Sequence, residues 1–294
     1  MLLLLSFTFF AISCNKEDDK PTGPADIASI VSTNPSFSIL NSAITRAGLG
    51  AALSSGTLTV FAPDNDAFTA SGLSAATINS LPVSTLDSIL KYHVLGTTVS
   101  SSNVPVSDAV STLLGTSLFA SRNVNGVFTN GIKVKTADIA ASNGVIHVIS
   151  KVLIPPTKTI AQIAASDTTF SLLLAAVVKA GLAGAVSGPG KFTVFAPTNA
   201  AFRAAGFSTV ADINAAPTDL ITTVVKYHVL GTNVFAGDLT DGLSTPTLQP
   251  GNITINLVPA RVKISSSTKP ASNITATDIV ATNGVIHVID RVLL

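Results

Sequence analysis

Tryptophan is absent from this 294-residue chain, and cysteine and methionine each occur once. Charged residues make up only 11% of it and aromatic residues 5%. Each scarcity excludes something. One cysteine, Cys14, rules out a disulfide within a molecule. Without tryptophan and with few other rings, neither base-stacking surfaces nor aromatic sugar platforms are expected. Seventeen Lys and Arg stand against 16 Asp and Glu, a net charge of +1, so there is no electrostatic footprint for nucleic acid. What is present is apolar, 47% of the chain, enough at this length to bury two ordinary cores. The surface is then left largely to Ser, Thr, Asn and Ala, a composition common outside the cytoplasm.

Long apolar runs are also missing. The longest lie at 1–13 and 172–186, both shorter than the roughly 20 residues a spanning helix needs, and the second is interrupted by Lys179. The second is expected as a buried helix.

The strongest positive signal is internal repetition. DIAASNGVIHVI at 138–149 returns as DIVATNGVIHVI at 278–289, identical at 10 of 12 positions. TVFAPDNDAF at 59–68 returns as TVFAPTNAAF at 193–202, and KYHVLGT at 91–97 returns unchanged at 226–232. The offsets of 140, 134 and 135 residues are too long for a solenoid unit and suit a whole domain. The chain is two copies of one domain.

Those three ordered blocks resemble the fasciclin-like domain (fasciclin I family), over about 26–154 and 158–294. The second copy has the fuller ending, with Asp290 where the first has Ser150. The resemblance implies an α+β, mainly β fold, each copy a β-sandwich or wedge with helices packed at one end. It also implies a role in adhesion. In animal members the Tyr-His region is tied to integrin binding, and Tyr92, His93, Tyr227 and His228 match it here.

The N-terminus carries its own reading. Residues 1–13 have the character of a signal h-region, and Ala11-Ile12-Ser13-Cys14 resembles a bacterial lipobox, with Cys14 as the lipidated residue. Lys16-Glu17-Asp18-Asp19, which holds the sole glutamate, resembles the lysine-plus-acidic tag of certain bacterial surface lipoproteins. The expected layout is a signal peptide at 1–14, a flexible tether at 15–25, domain 1 at 26–154, a stiff Pro-rich linker at 155–157 and domain 2 at 158–294.

Within each copy, local chemistry predicts the elements. Asn34 and Asp167 are candidate N-caps, Pro35 fits a first helical slot, and Gly48 and Gly181 suit the left-handed position that ends a helix. Phe37, Leu40, Ile44 and Ala47 share a helical face, as do Phe170, Leu173, Val177 and Ala180. Buried strands are predicted at Leu58–Ala62 and Phe192–Ala196, followed by turns capped by Asp64 and Thr198. A further amphipathic helix ends in each Tyr-His pair. Ile132 and Val134 alternate with Lys133 and Lys135, a half-exposed strand. Asn143-Gly144 and Asn283-Gly284 are read as type I′ hairpin turns leading into central strands.

No catalytic constellation is visible. The four histidines, His93, His147, His228 and His287, lack a second ligand at metal-binding spacing and are expected as hydrogen-bonded core residues. Asp64-Asn65-Asp66 lacks the glycine and glutamate of a calcium loop and is expected to cap a helix. No phosphate loop or nucleophile–base pair appears, so neither a metal nor another cofactor is expected. The expected protein is an outer-membrane lipoprotein held to the bilayer through acylated Cys14 and exposed at the cell surface, with a periplasm-facing placement as the alternative. It would bind a surface protein, matrix polymer or glycan and no nucleic acid. The alternative is an outer-membrane protein that captures a glycan or small ligand for nutrition.

Overall fold

The computed structural model describes residues 23–294, so Cys14, the apolar run before it and the Lys16–Asp19 segment lie outside the described residues. Among the described residues fourteen strands form two seven-stranded sheets of identical topology. In domain 1 they are β1 (Leu58–Pro63), β2 (Val94–Leu95), β3 (Ser107–Ser111), β4 (Ser117–Asn123), β5 (Gly126–Thr129), β6 (Ile132–Ala141) and β7 (Gly144–Ile149). Their order is β2-β1-β7-β6-β5-β4-β3. Domain 2 repeats this with β8 (Phe192–Pro197), β9 (Val229–Leu230), β10 (Leu243–Pro246), β11 (Asn252–Leu257), β12 (Ala260–Ile264), β13 (Ser272–Ala281) and β14 (Gly284–Ile289). Among the described residues no single helix is long and apolar enough to cross a membrane.

The central pair in each sheet is parallel, β1 with β7 and β8 with β14, placing Phe61 beside His147 and Phe195 beside His287. These strands are apolar on both faces because both faces are covered. Val60, Ala62, Ile146 and Val148 meet the helices, while Phe61 and Ile149 turn to a second core with Leu118, Ala120 and Val127. The long strands β6 and β13 let the sheet fold over itself. Each pairs with one neighbour near its start and another along its remainder, with two register shifts that bend it. At those bends Asp138 and Asp278 adopt left-handed φ of 62° and 59°, a region aspartate tolerates better than most residues.

The predicted caps operate, with one refinement. Asn34 and Asp167 accept bonds from Ser36 and Thr169, capping short 3-10 turns (Pro35–Phe37, Thr168–Phe170) that lead into the helices Ser38–Ala47 and Ser171–Lys179. Gly48 and Gly181 end these stretches with φ of 70° and 68°. Asp64 and Thr198 cap the helices Asn65–Ala70 and Asn199–Ala204. A helix that the periodicity does not announce precedes each set, Ile27–Thr33 and Ile160–Ser166.

The Asn-Gly turns differ from expectation. Neither Asn143 nor Asn283 has positive φ, so these are not type I′ turns; only Gly144 (150°) and Gly284 (154°) do. The two-residue turn is Ser142-Asn143, and Gly144 already pairs with Ala141 in the ladder. The asparagine side chain is occupied elsewhere. Asn143 accepts from Ile27 N at 2.9 Å and donates to Leu53 O at 2.8 Å, tying the first helix and the Gly50–Leu53 turn to the sheet. Asn283 does the same with Ile160, Val186 and Gly188. Glycine is required next to it because a Cβ on Gly144 would lie 1.9 Å from Leu58 O, and on Gly284 2.0 Å from Phe192 O.

The two domains dock directly. Phe119 of β4 packs on Phe235 with ring centroids 5.7 Å apart, in a cluster with Val285. Asn123 Nδ2 donates to Gly237 O at 2.9 Å, Ser121 Oγ donates to Asp238, and Lys191 pairs with Asp108.

Candidate functional site

The histidines close the fold. His93 ends the helix Val83–Tyr92; its Nδ1 donates to Ile89 O at 2.8 Å and its Nε2 accepts from Leu153 N at 2.9 Å. His228 makes the equivalent bonds with Val224 O and Leu293 N, at 2.7 and 3.0 Å. One nitrogen gives a proton and the other receives one, so each ring is neutral, and burial pushes the pKa of both down to about 4. His147 and His287 bridge in the same manner. Their Nε2 atoms donate to Val99 O and Val234 O at 2.9 and 2.8 Å, and Asp138 N and Asp278 N approach their Nδ1 atoms. All four rings have both nitrogens engaged. Among the described residues no group of three or more His, Cys, Asp or Glu is placed to hold a metal.

The Tyr-His pairs diverge between copies. Tyr92 is wholly buried, donating to Ser117 O at 3.2 Å and accepting from Asn130 Nδ2 at 3.0 Å, and burial raises its pKa to about 12. Tyr227 is half-exposed, with only a 3.5 Å contact to Pro250 O. As folded, Tyr92, His93 and His228 present no surface to a partner; Tyr227 alone of the four does. The helix end that carries each pair must turn its apolar face inward, and the histidine after it is consumed by the cap.

Asp64-Asn65-Asp66 is a tie rather than an ion site. Asp64 caps its helix and pairs with Lys135 at 2.7 Å. Asn65 accepts from Ile39 N and donates to Pro35 O, and Asn199 repeats this with Leu172 N and Thr168 O. The apolar clefts under the helices beside His93 and His228 each have about 40 Å³ of free space, room for little more than a water molecule, and belong to the core packing.

One concave surface belongs to domain 2. Lys269, Pro270, Arg291, Ala201, Ala204 and Ala205 line an open groove of about 320 Å³. Lys269 and Pro270 lie on the connection 265–271 between β12 and β13; the matching connection between β5 and β6 is only Asn130-Gly131. Lys269 and Arg291 are exposed. The sequence signal that could have found the groove is this lengthened loop, visible as part of the drift in repeat offset from 135 to 140 residues.

Comparison with known proteins gives a consistent result. The Fasciclin domain model matches twice, over 35–155 and 168–294. Transforming growth factor-beta-induced protein ig-h3 of Sus scrofa is 32% identical over 257 residues, covering 81% of this chain and 35% of that protein. Periostin of Homo sapiens is 31% identical over 206 residues, 66% of this chain and 22% of periostin. A protein of Synechocystis, sll1483, is 36% identical over 148 residues, half of this chain and 79% of its own. The chain thus spans about a third of the ig-h3 relatives it matches. Among solved structures, the FAS1 domain pair of the insect cell adhesion molecule fasciclin I is similar at 21% identity and a TM-score of 0.43, covering 91% of this chain and 95% of that one.

Proposed function

Because the chain belongs to the fasciclin-domain family, we propose that it is an extracellular adhesion module, presented at the cell surface and acting by binding rather than catalysis. The observation that carries this reading is the fate of its chemistry-bearing side chains. All four histidines and the paired asparagines are committed to holding the fold in both copies, as is the buried Tyr92 in domain 1. What remains for a partner is exposed, weakly charged surface, doubled by the tandem. Adhesive contacts of modest individual strength gain from such doubling, since a second contact forms at an effective concentration near millimolar. The domain limits proposed for this unit are 26–154 and 158–294, joined by 155–157. Presentation is proposed to run through Cys14, acylated and inserted in the outer membrane. The Lys16–Asp19 segment is proposed to direct the protein to the outer face. Tyr227, half-exposed at the end of its helix, is the one residue of the Tyr-His pairs proposed to contact a partner directly.

The test is retention. Cells displaying the full chain should adhere to a matrix-coated surface, and Cys14→Ser should abolish both membrane fractionation and adhesion. Adhesion that is unchanged in Cys14→Ser, or turnover of a small substrate by the purified chain, would overturn the reading.

A second reading rests on the domain 2 groove. Its loop-borne Lys269 and neighbouring Arg291 suit an anionic ligand such as an acidic oligosaccharide, which would make the protein a capture module. Saturable binding of a uronic-acid oligosaccharide, lost in Lys269→Ala/Arg291→Ala, would decide for it; adhesion that survives the double variant decides against it.

A further inference from the structure

The interface between the domains contains two carboxylates that a docking surface would ordinarily avoid. The 3-10 turn Ala236–Asp238 of domain 2 carries Asp238 against β4, where Ser121 of domain 1 donates to it. Asp278, at the bend of β13, receives Ala236 N at 2.8 Å. It is also pressed against domain 1, since a Cβ on Gly131 would lie 2.9 Å from its Oδ2. Phe235 anchors the same turn against Phe119. Among the described residues neither carboxylate is in an ion pair. The other titratable groups acting on Asp278 are Lys151, beyond β7, and His287 on β14, whose Nε2 proton is committed to Val234 O.

Domain 1 supplies an internal control. In its matching turn, Ser101–Asn103, Ser102 and Asn103 are exposed and Ser101 is half-buried. There Asp138 receives both the backbone N–H and the hydroxyl of Ser101, and these bonds hold its carboxyl below the usual range. In domain 2 the hydroxyl is gone, because Ala236 replaces Ser101, and a second carboxylate has arrived, because Asp238 replaces Asn103. Burial pushes both Asp238 and Asp278 upward, and Asp238 adds its repulsion to Asp278.

We propose that the domain interface is an acid-strengthened joint, in which protons taken up by Asp238 and Asp278 seat domain 2 on domain 1 and their loss at higher pH loosens it. The sign follows from linkage. Docked carboxyls hold protons more tightly than free ones, so docking takes protons up. It is strongest below the ordinary carboxylate range near about 4 and weakens as pH rises through the raised values. The change is up to about tenfold per pH unit for each proton taken up. The joint adjusts the stiffness of the pair, whatever partner the pair engages.

The experiment measures the distance between spin labels on the full chain carrying Cys14→Ser, Val83→Cys and Val178→Cys, both label sites being exposed and on opposite domains. Comparing about pH 5 with about pH 8 keeps above the range in which His93 and His228 would be protonated, and circular dichroism at each pH confirms an intact fold. The expected result is a narrow distribution at the lower pH that broadens at the higher. Asp238→Asn/Asp278→Asn should stay narrow at both, and Ala236→Ser should reduce the response; Asp138→Asn should leave it unchanged. A distribution in the parent chain that does not change with pH overturns the joint, as does a response that persists in the double asparagine variant.

Discussion

Domains 1 and 2 share topology, caps and histidine ties, yet they differ wherever one faces the other. The outward face of β4 carries Phe119 and lies under domain 2; its counterpart on β11 carries the half-buried polar residues Thr254 and Asn256. The position before the docking turn is Phe235 in domain 2 and Ser100 in domain 1. Each copy therefore keeps an apolar anchor only on the side that meets the other. The β11 face of domain 2 and the Ser101–Asn103 turn of domain 1 carry polar residues at the positions that are aromatic at the seam. The two copies share one framework, and the seam is one of the places where their side chains differ.

The equivalence of the two frameworks can be broken most severely at Gly144 and Gly284. Alanine there adds a Cβ about 2 Å from a neighbouring strand's carbonyl oxygen at a φ that side chains rarely adopt. Each substitution is expected to cost its own domain about 4 kcal/mol or more. Calorimetry resolving two transitions would check this; a loss in only one of the two variants would refute the equivalence.

Next in size are the buried histidines. His93→Ala and His228→Ala each leave a buried carbonyl and a buried N–H without partners, at about 1–3 kcal/mol per orphaned group. The pH dependence has a definite sign. Their folded pKa, about 4, lies below the unfolded value of 6.5, so the unfolded chain binds protons first. Stability is full above the unfolded value and is lost as pH falls toward the folded one, by roughly 3 kcal/mol per histidine. Melting curves across that window should fall in parallel for the two domains, and each alanine variant should remove its domain's share.

The smallest effect sharpens the contrast. Tyr92→Phe removes a hydroxyl bonded to Ser117 O and Asn130, and should destabilise domain 1 by about 1–2 kcal/mol. Tyr227→Phe removes a hydroxyl with only a 3.5 Å contact and should change domain 2 by under about 0.5 kcal/mol. Equal losses in denaturant titrations would show that the two tyrosines are not differently buried.

Much of this was legible in the chain. The repeats announced two domains, and Asn34, Asp64, Asp167 and Thr198 announced their caps because capping is a contact over two or three residues. The apolar spacing of Val145–Ile149 announced a strand covered on both faces, and the cores on either side of it bear that out. The histidines were expected to be satisfied inside, and they are, though their partners Leu153 and Leu293 lie 60 and 65 residues away. The Asn-Gly pairs misled on turn type. Their asparagines answer to Ile27 and Ile160, more than a hundred residues distant, which no local turn rule registers.

By itself the sequence determined the repetition of one domain, the family, several helix caps and which faces are apolar, because each depends on short-range spacing or on repetition. Tertiary structure alone decided that Tyr92 is buried while Tyr227 is not, that Phe119 meets Phe235, and that burial pushes the Asp278 carboxyl upward where hydrogen bonds from Ser101 hold that of Asp138 down. The physical reason is common to all three. Burial, desolvation and charge pairing depend on which distant segments meet, and two copies of one sequence pattern meet different neighbours once they are packed against each other.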